Sequence, residues 1–199
     1  MAGEAASTGR HALVLAGGAG SRFGGGKMLA AWHGEPLVLA AIRTALSAQV
    51  ETVFLVTGAE QEALAGVAAG MHEARLVVVQ AHDWARGMSA SLIAGIAALP
   101  GDAFAVAVLL GDMPLIPEGL VDRVLDEVGK GAVAAVVTSP LGPAHPAAFS
   151  RATFETLAGL KGDRGARGVL AAFDDAVAQI ASDDPGVVFD VDRLADLQP

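Results

Sequence analysis

HALVLAGGAGSRFGGGK, residues 11–27, passes from an apolar hexapeptide straight into a glycine-rich loop that carries one arginine and one lysine. The hexapeptide does not alternate with polar residues, which is the pattern of a strand buried on both faces of a parallel sheet. Four further runs repeat it: TVFLVT at 52–57, ARLVVV at 74–79, AFAVAVLLG at 103–111 and AVAAVVTS at 132–139. Between them lie helix-length stretches at 35–49, 60–70, 88–99 and 116–130. The alternation predicts an α/β fold in three layers, a doubly wound and mostly parallel sheet with right-handed crossovers. Beyond Pro140 the pattern loosens. AHPAAFS (144–150) reads as a short strand, RATFETLAGL (151–160) and RGARGVLAAFDD (164–175) as helices, and GVVFDVD (186–192) as a late strand. No linker or repeat divides the chain, so a single domain is expected over residues 10–199, preceded by a disordered tail at 1–9.

Composition bounds the partners. The 199 residues are 53% hydrophobic, enough for a full core, and carry 13 Lys+Arg against 22 Asp+Glu, a formal net charge of −9. Such a chain repels nucleic acid and anionic membranes, so any phosphate site must be built locally. There is no cysteine, which excludes disulfides and thiolate metal centres. The apolar run AFAVAVLL at 103–110 is far too short to span a bilayer. A soluble cytoplasmic protein is expected.

In a doubly wound sheet ligands bind beyond the carboxyl ends of the strands, and the first strand ends where GGAGSRFGGGK begins. Neither familiar phosphate motif fits this loop. A Walker A pattern needs glycine where Ser21 stands and Ser or Thr where Met28 stands, and the dinucleotide fingerprint needs glycine at Phe23. What remains is a loop whose backbone N–H groups can approach oxygen anions closely, with Arg22 and Lys27 supplying positive charge; this is chemistry suited to a triphosphate.

LAGGAGSRFGGGKMLAAWHGEPL (15–37) is similar to the signature of nucleotidyltransferases that transfer a nucleoside monophosphate from an NTP and release pyrophosphate. With RGMSASLIAGI (86–96), LLGDMPLIP (109–117), LAGLKGDRGARGVL (157–170) and FDVDRLADL (189–197), the chain resembles the molybdenum cofactor cytidylyltransferase branch of the MobA-like superfamily. The resemblance implies a Rossmann-like, GT-A-like nucleotidyltransferase that is magnesium-dependent and joins CMP from CTP to molybdopterin, with a molybdenum enzyme as a further partner. Its loop starts Ala16-Gly17-Gly18 where that branch usually has Ala-Ala-Gly, closer to the guanylyltransferase relatives. A guanylyltransferase, another small-metabolite transferase and a non-catalytic cofactor carrier are therefore the alternatives.

The candidate site follows from both readings. Lys27, Arg22 and Asp112 are the candidate catalytic residues. Ala16, Gly17, Gly18, Ala19, Gly20 and Ser21 form the nucleotide loop with Arg22 and Lys27, and Gly87 and Ser89 approach the base or ribose from a helix entry. The competing reading of RGMSASL is a helix capped by serine. Asp112 follows the most apolar strand, where it can hold a hard divalent cation or serve as a turn residue before Pro114. Asp192, or else Asp190, is the second metal ligand, since strand alternation lets only one of them face the site; Asp192 as a helix N-cap is the competing role. The resemblance places His145, Arg164 and Arg167 on the acceptor side, against structural and solvated alternatives for each.

Overall fold

The computed structural model describes residues 9–20, 23–162, 166–173 and 176–197. Continuous apolar character produces the expected strands: β1 (Arg10–Ala16), β4 (Thr52–Thr57), β5 (Leu76–Gln80), β6 (Ala105–Leu110) and β7 (Ala134–Ser139). A minimal ribbon of β2 (Ala31–Trp32) and β3 (Glu35–Pro36) precedes the first helix. Glu35 stands before a proline, which disfavours helical backbone there, so α1 begins only at Val38 and runs to Ser47. The other helices of this half are α2 (Gln61–Gly70), α3 (Met88–Ala97) and α4 (Leu120–Gly129). The second half supplies β8 (Gly142–Ser150), α5 (Phe154–Ala158), α6 (Arg167–Ala172) and β9 (Val177–Ala181).

Seven strands form one sheet in the order β5-β4-β1-β6-β8-β7-β9, parallel except for β8, which runs against both β6 and β7. This is the doubly wound, mostly parallel single-domain architecture expected from the sequence. Side-chain alternation on β1 sends Ala12, Val14 and Ala16 to one face and Leu13 and Leu15 to the other. The first face packs under α1, α2 and α4, and the second under α3, α5 and α6. Both faces being apolar, neither tolerates solvent, and three layers result. From β1 the chain winds outward through β4 to β5, then crosses back to place β6 on the other flank of β1. The carboxyl ends of β1 and β6 therefore border the topological switch point.

Two expectations need correction. Residues 186–192 are not a strand: Pro185–Val187 is a 3-10 turn whose Asp184 carboxylate accepts from the Gly186 N–H at 2.8 Å, and the segment beyond it is irregular. Its alternating Val187, Phe189 and Val191 pack into clusters instead of joining a ladder, and the late strand is β9, paired parallel to β7. Gly9, expected in the tail, is buried and donates to Glu51 Oε1 at 2.8 Å; residues 1–8 of that tail lie outside the described residues. No helix among the described residues is long and apolar enough to cross a membrane.

His11 sits inside β1 at 1% exposure, its ring 5.9 Å from that of Phe54, and neither ring nitrogen has a hydrogen-bond partner among the described residues. Burial pushes its pKa below the usual value, outweighing the opposing charges of Glu51 and Asp102. Below about pH 6.5 the unfolded chain takes up a proton that the folded chain refuses, so stability falls with pH, by at most about 1.4 kcal/mol per unit from this group. Thermal melts of His11→Leu should lose that part of the acid dependence; an unchanged slope between pH 7.5 and 5.5 would contradict it.

Candidate active site

Three glycines close the mouth of the sheet. Gly17 follows β1, and a side chain there would collide with Ser91 Oγ of α3. Gly58 follows β4 and leaves no room either, since an added Cβ would lie 2.7 Å from Trp84 Cβ and 2.8 Å from Gly17 Cα. Gly111 follows β6, its N–H donating to Leu15 O at 2.9 Å. Beyond them the loop turns at Gly20 (φ 58°), whose carbonyl accepts from the N–H groups of Phe23, Gly24 and Gly25 at 2.9, 3.0 and 3.1 Å. That knot sends the chain into a 3-10 turn at Lys27–Leu29 and points Lys27 back toward the sheet. A cleft of about 420 Å³ opens between this loop and the start of α3, floored by Leu15 and Leu110 and bordered by Gly17, Gly18, Ala19 and Asp112.

At its edge one cation meets two carboxylates. Lys27 Nζ lies 2.7 Å from Asp112 Oδ2 and 3.2 Å from Asp192 Oδ1. Burial opposes the ammonium charge, but the hydrogen bonds and charges of Asp112 and then Asp192 prevail and hold Lys27 above the usual lysine value. Asp190 stands close by as a third acid. Desolvation, followed by the charges of Asp192 and Asp112, pushes its carboxyl above the ordinary range against the pull of Lys27. Asp192 reaches Lys27 across 165 positions of sequence. Its segment is tied down by the Val191 N–H, which donates to Asp112 O at 3.0 Å. A small apolar cluster of Trp32, Leu37 and Val191, with Phe23 and Phe189 packed on it, fixes the same segment beside the glycine loop. The cap at the last described turn comes from Asp196, whose Oδ2 accepts from Asp192 N and Arg193 N at 3.0 and 2.8 Å, and the Asp192 carboxylate accepts from Lys27 at 3.2 Å.

No group of three His, Cys, Asp or Glu residues among the described residues forms a ready metal cage. Two aspartates converging on a single cation nevertheless provide the hard oxygen donors that a magnesium-type ion takes, such ions filling their remaining positions with water and phosphate.

Gly17, Gly18, Ala19, Gly87 and Asp112 thus border one cleft; Ala16 is buried behind it, and Gly20 sits against Lys27. Ser89 does not join them. Gly87 is the N-cap of α3 and no side chain caps that helix, so the serine-cap reading fails, and Ser89 lines a separate pocket. His145 falls in the irregularity of β8 between the pairs Val136–Ala147 and Val137–Ala144. Arg167 opens α6, while Ser21, Arg22 and Arg164 lie outside the described residues. Trp84, Met28 and Ser91 line the cleft without having been expected there. Helical spacing held the clue for Ser91: four positions after Gly87 it shares that residue's face, whereas Ser89 does not. Gly17→Ala should destabilise the protein by about 1–3 kcal/mol in urea titrations, with part of the loss recovered in Gly17→Ala/Ser91→Ala; strictly additive effects would contradict the collision.

A model of the MobA-like NTP transferase domain matches residues 12–178. The chain is 32% identical over 190 residues to the nicotine blue oxidoreductase of Paenarthrobacter nicotinovorans, covering 92% of this chain and 91% of that protein. It is 33% identical over 150 residues to a probable molybdenum cofactor guanylyltransferase of Thermococcus gammatolerans, covering 72% and 71%. Among solved structures, Rv0371c of Mycobacterium tuberculosis superposes with TM-score 0.80 at 29% identity over 94% of both chains, and its manganese complex with TM-score 0.77. A glycine-lined cleft at the switch point, a lysine shared by two aspartates and a family match over most of the chain lead to one conclusion: this chain belongs to the MobA-like NTP transferase domain family and is a small-molecule nucleotidyltransferase.

Proposed function

We propose that the enzyme transfers CMP from CTP to molybdopterin with magnesium, forming molybdopterin cytosine dinucleotide and pyrophosphate in the cytoplasm. The observation that carries the reading is the Lys27 ammonium held between Asp112 and Asp192 beside a glycine-lined cleft. Support for the acceptor comes from the likeness to the probable molybdenum cofactor guanylyltransferase of Thermococcus and from the resemblance of the sequence motifs. A phosphate oxygen of the acceptor attacks the α-phosphorus of the nucleotide, a new P–O bond forms, and the bond to the pyrophosphate leaving group breaks. Charge builds on oxygen throughout, so catalysis rests on positioning and electrostatic stabilisation. Asp112 and Asp192 would hold the magnesium ion, which when bound supplies Lewis-acid charge at the triphosphate. Lys27 then serves the α-phosphoryl oxygens, Arg22 the β- and γ-phosphates, and the N–H groups of Gly17 to Gly20 the phosphate cradle. Trp84, the one aromatic side chain among the described residues lining the cleft, offers the nucleobase a flat apolar wall. His145, Arg164 and Arg167 are assigned to the anionic acceptor.

A guanylyltransferase is the second reading, favoured by the Ala16-Gly17-Gly18 loop start and by the same Thermococcus relative.

Pyrophosphate release measured with magnesium and each of CTP, GTP, ATP and UTP, with and without molybdopterin, tests both. The expected result is release that requires molybdopterin and prefers CTP; preference for GTP would establish the second reading. Lys27→Ala and Asp112→Asn should each reduce kcat by about 10²–10³ while melting as folded proteins. Undiminished release in both would overturn the site. Trp84→Ala should raise the KM for nucleotide several-fold with little change in kcat, the signature of lost ground-state binding.

A further inference from the structure

Ser89 belongs to the RGMSASL motif, yet the nucleotide cleft does not use it. It lines a second pocket of about 490 Å³ on the opposite side of the α3 entry, beyond the carboxyl end of β5. The two cavities share one thin wall. From it Trp84, Gly87, Met88 and Ser91 face the nucleotide cleft, while Asp83, Arg86, Ser89 and Ile93 face the second pocket. Ala81, Ile93, Ala94 and Leu160 give this pocket apolar walls, and His82, Arg86 and Lys161 bring basic groups to its rim.

We infer that this second pocket binds a small phosphate-bearing molecule and that its occupancy alters nucleotide binding through the shared wall. Three observations converge on an oxyanion. Ser89 is only 3% exposed and lines this pocket, and its hydroxyl is a donor that an oxyanion can use. The first turn of α3 has no side-chain cap, so its N–H groups and the positive end of the ten-residue helix favour an anion. Arg86 and Lys161 supply charge in a chain of net −9, which otherwise repels anions. Among the described lining residues the one opposing group is Asp83, which meets Arg86 at 3.3 Å with both side chains more than two-thirds exposed at 71% and 78%. A solvated pair of this kind opens at little cost and frees the guanidinium. Hydroxyl, ammonium, guanidinium and helix N–H donors together outnumber what a planar carboxylate can accept and suit a tetrahedral phosphate. The apolar walls accommodate the body that the phosphate carries.

The site itself does not depend on the nucleotidyl-transfer reading; only the coupling does. Inorganic phosphate is the probe, titrated calorimetrically into the full chain without metal. Because Lys27 offers phosphate an alternative place, Lys27→Met provides the background. Phosphate should still bind to Lys27→Met, and adding Arg86→Gln and Lys161→Gln should weaken it by at least about tenfold, the scale of a lost charge-assisted hydrogen bond. Loss of binding in Lys27→Met alone, or equal affinity with and without the two further substitutions, overturns the site. For the coupling, Trp32→Phe leaves Trp84 as the only tryptophan. Its emission should respond to phosphate, and the KM for nucleotide should shift in the wild type but not in Arg86→Gln/Lys161→Gln. A silent Trp84 and an unmoved KM overturn the coupling, and absence of turnover with every nucleotide counts against the transferase reading alone.

Discussion

Close approach of backbone at the carboxyl ends of β1, β4 and β6 is the constraint from which the site follows. Gly17 lies against Ser91, Gly58 against Gly17 and Trp84, and Gly111 against Met28 and Leu15. Any side chain at the first two positions would push α3 or the Trp84 turn away from the sheet, and packed interiors absorb such displacements poorly. With glycine there, backbone amides come to the surface of a crevice that an open α/β sheet creates at its switch point. The loop is thus shaped by steric exclusion before any ligand is considered.

Electrostatics then closes the crevice. An ammonium 2.7 and 3.2 Å from two carboxylates is satisfied at its edge, where either sign of charge alone would be costly to bury. The acids arrive from distant parts of the sequence, Asp112 just after β6 and Asp192 on a strandless segment secured by Val191 and Phe189. The rings of Trp32 and Phe189, 6.0 Å apart, therefore matter to the site without facing it: the apolar cluster they share keeps a metal-ligand candidate next to the loop that carries Lys27. The same economy recurs at α3, whose opposite faces border two cavities of different lining.

Much of this was legible in the chain. Both-face burial requires unbroken apolar runs, so β1, β4 and β6 could be read within two residues of their ends, and the glycine loop with Lys27 and Asp112 followed from their positions at those ends. Tertiary structure decided the rest, because period-two alternation is necessary for a half-buried strand but not sufficient. Val187, Phe189 and Val191 alternate as a strand would, yet packing draws them into separate clusters and leaves the pairing edge of β7 to β9. Likewise, composition could not tell Ser89 from Ser91; the rotation of α3 against the sheet did, turning Ser91 into the glycine-lined cleft and Ser89 away from it. Local pattern determines what each segment can bury, whereas which oxygen meets which cation depends on contacts spanning as many as 165 residues, and no window of sequence contains those.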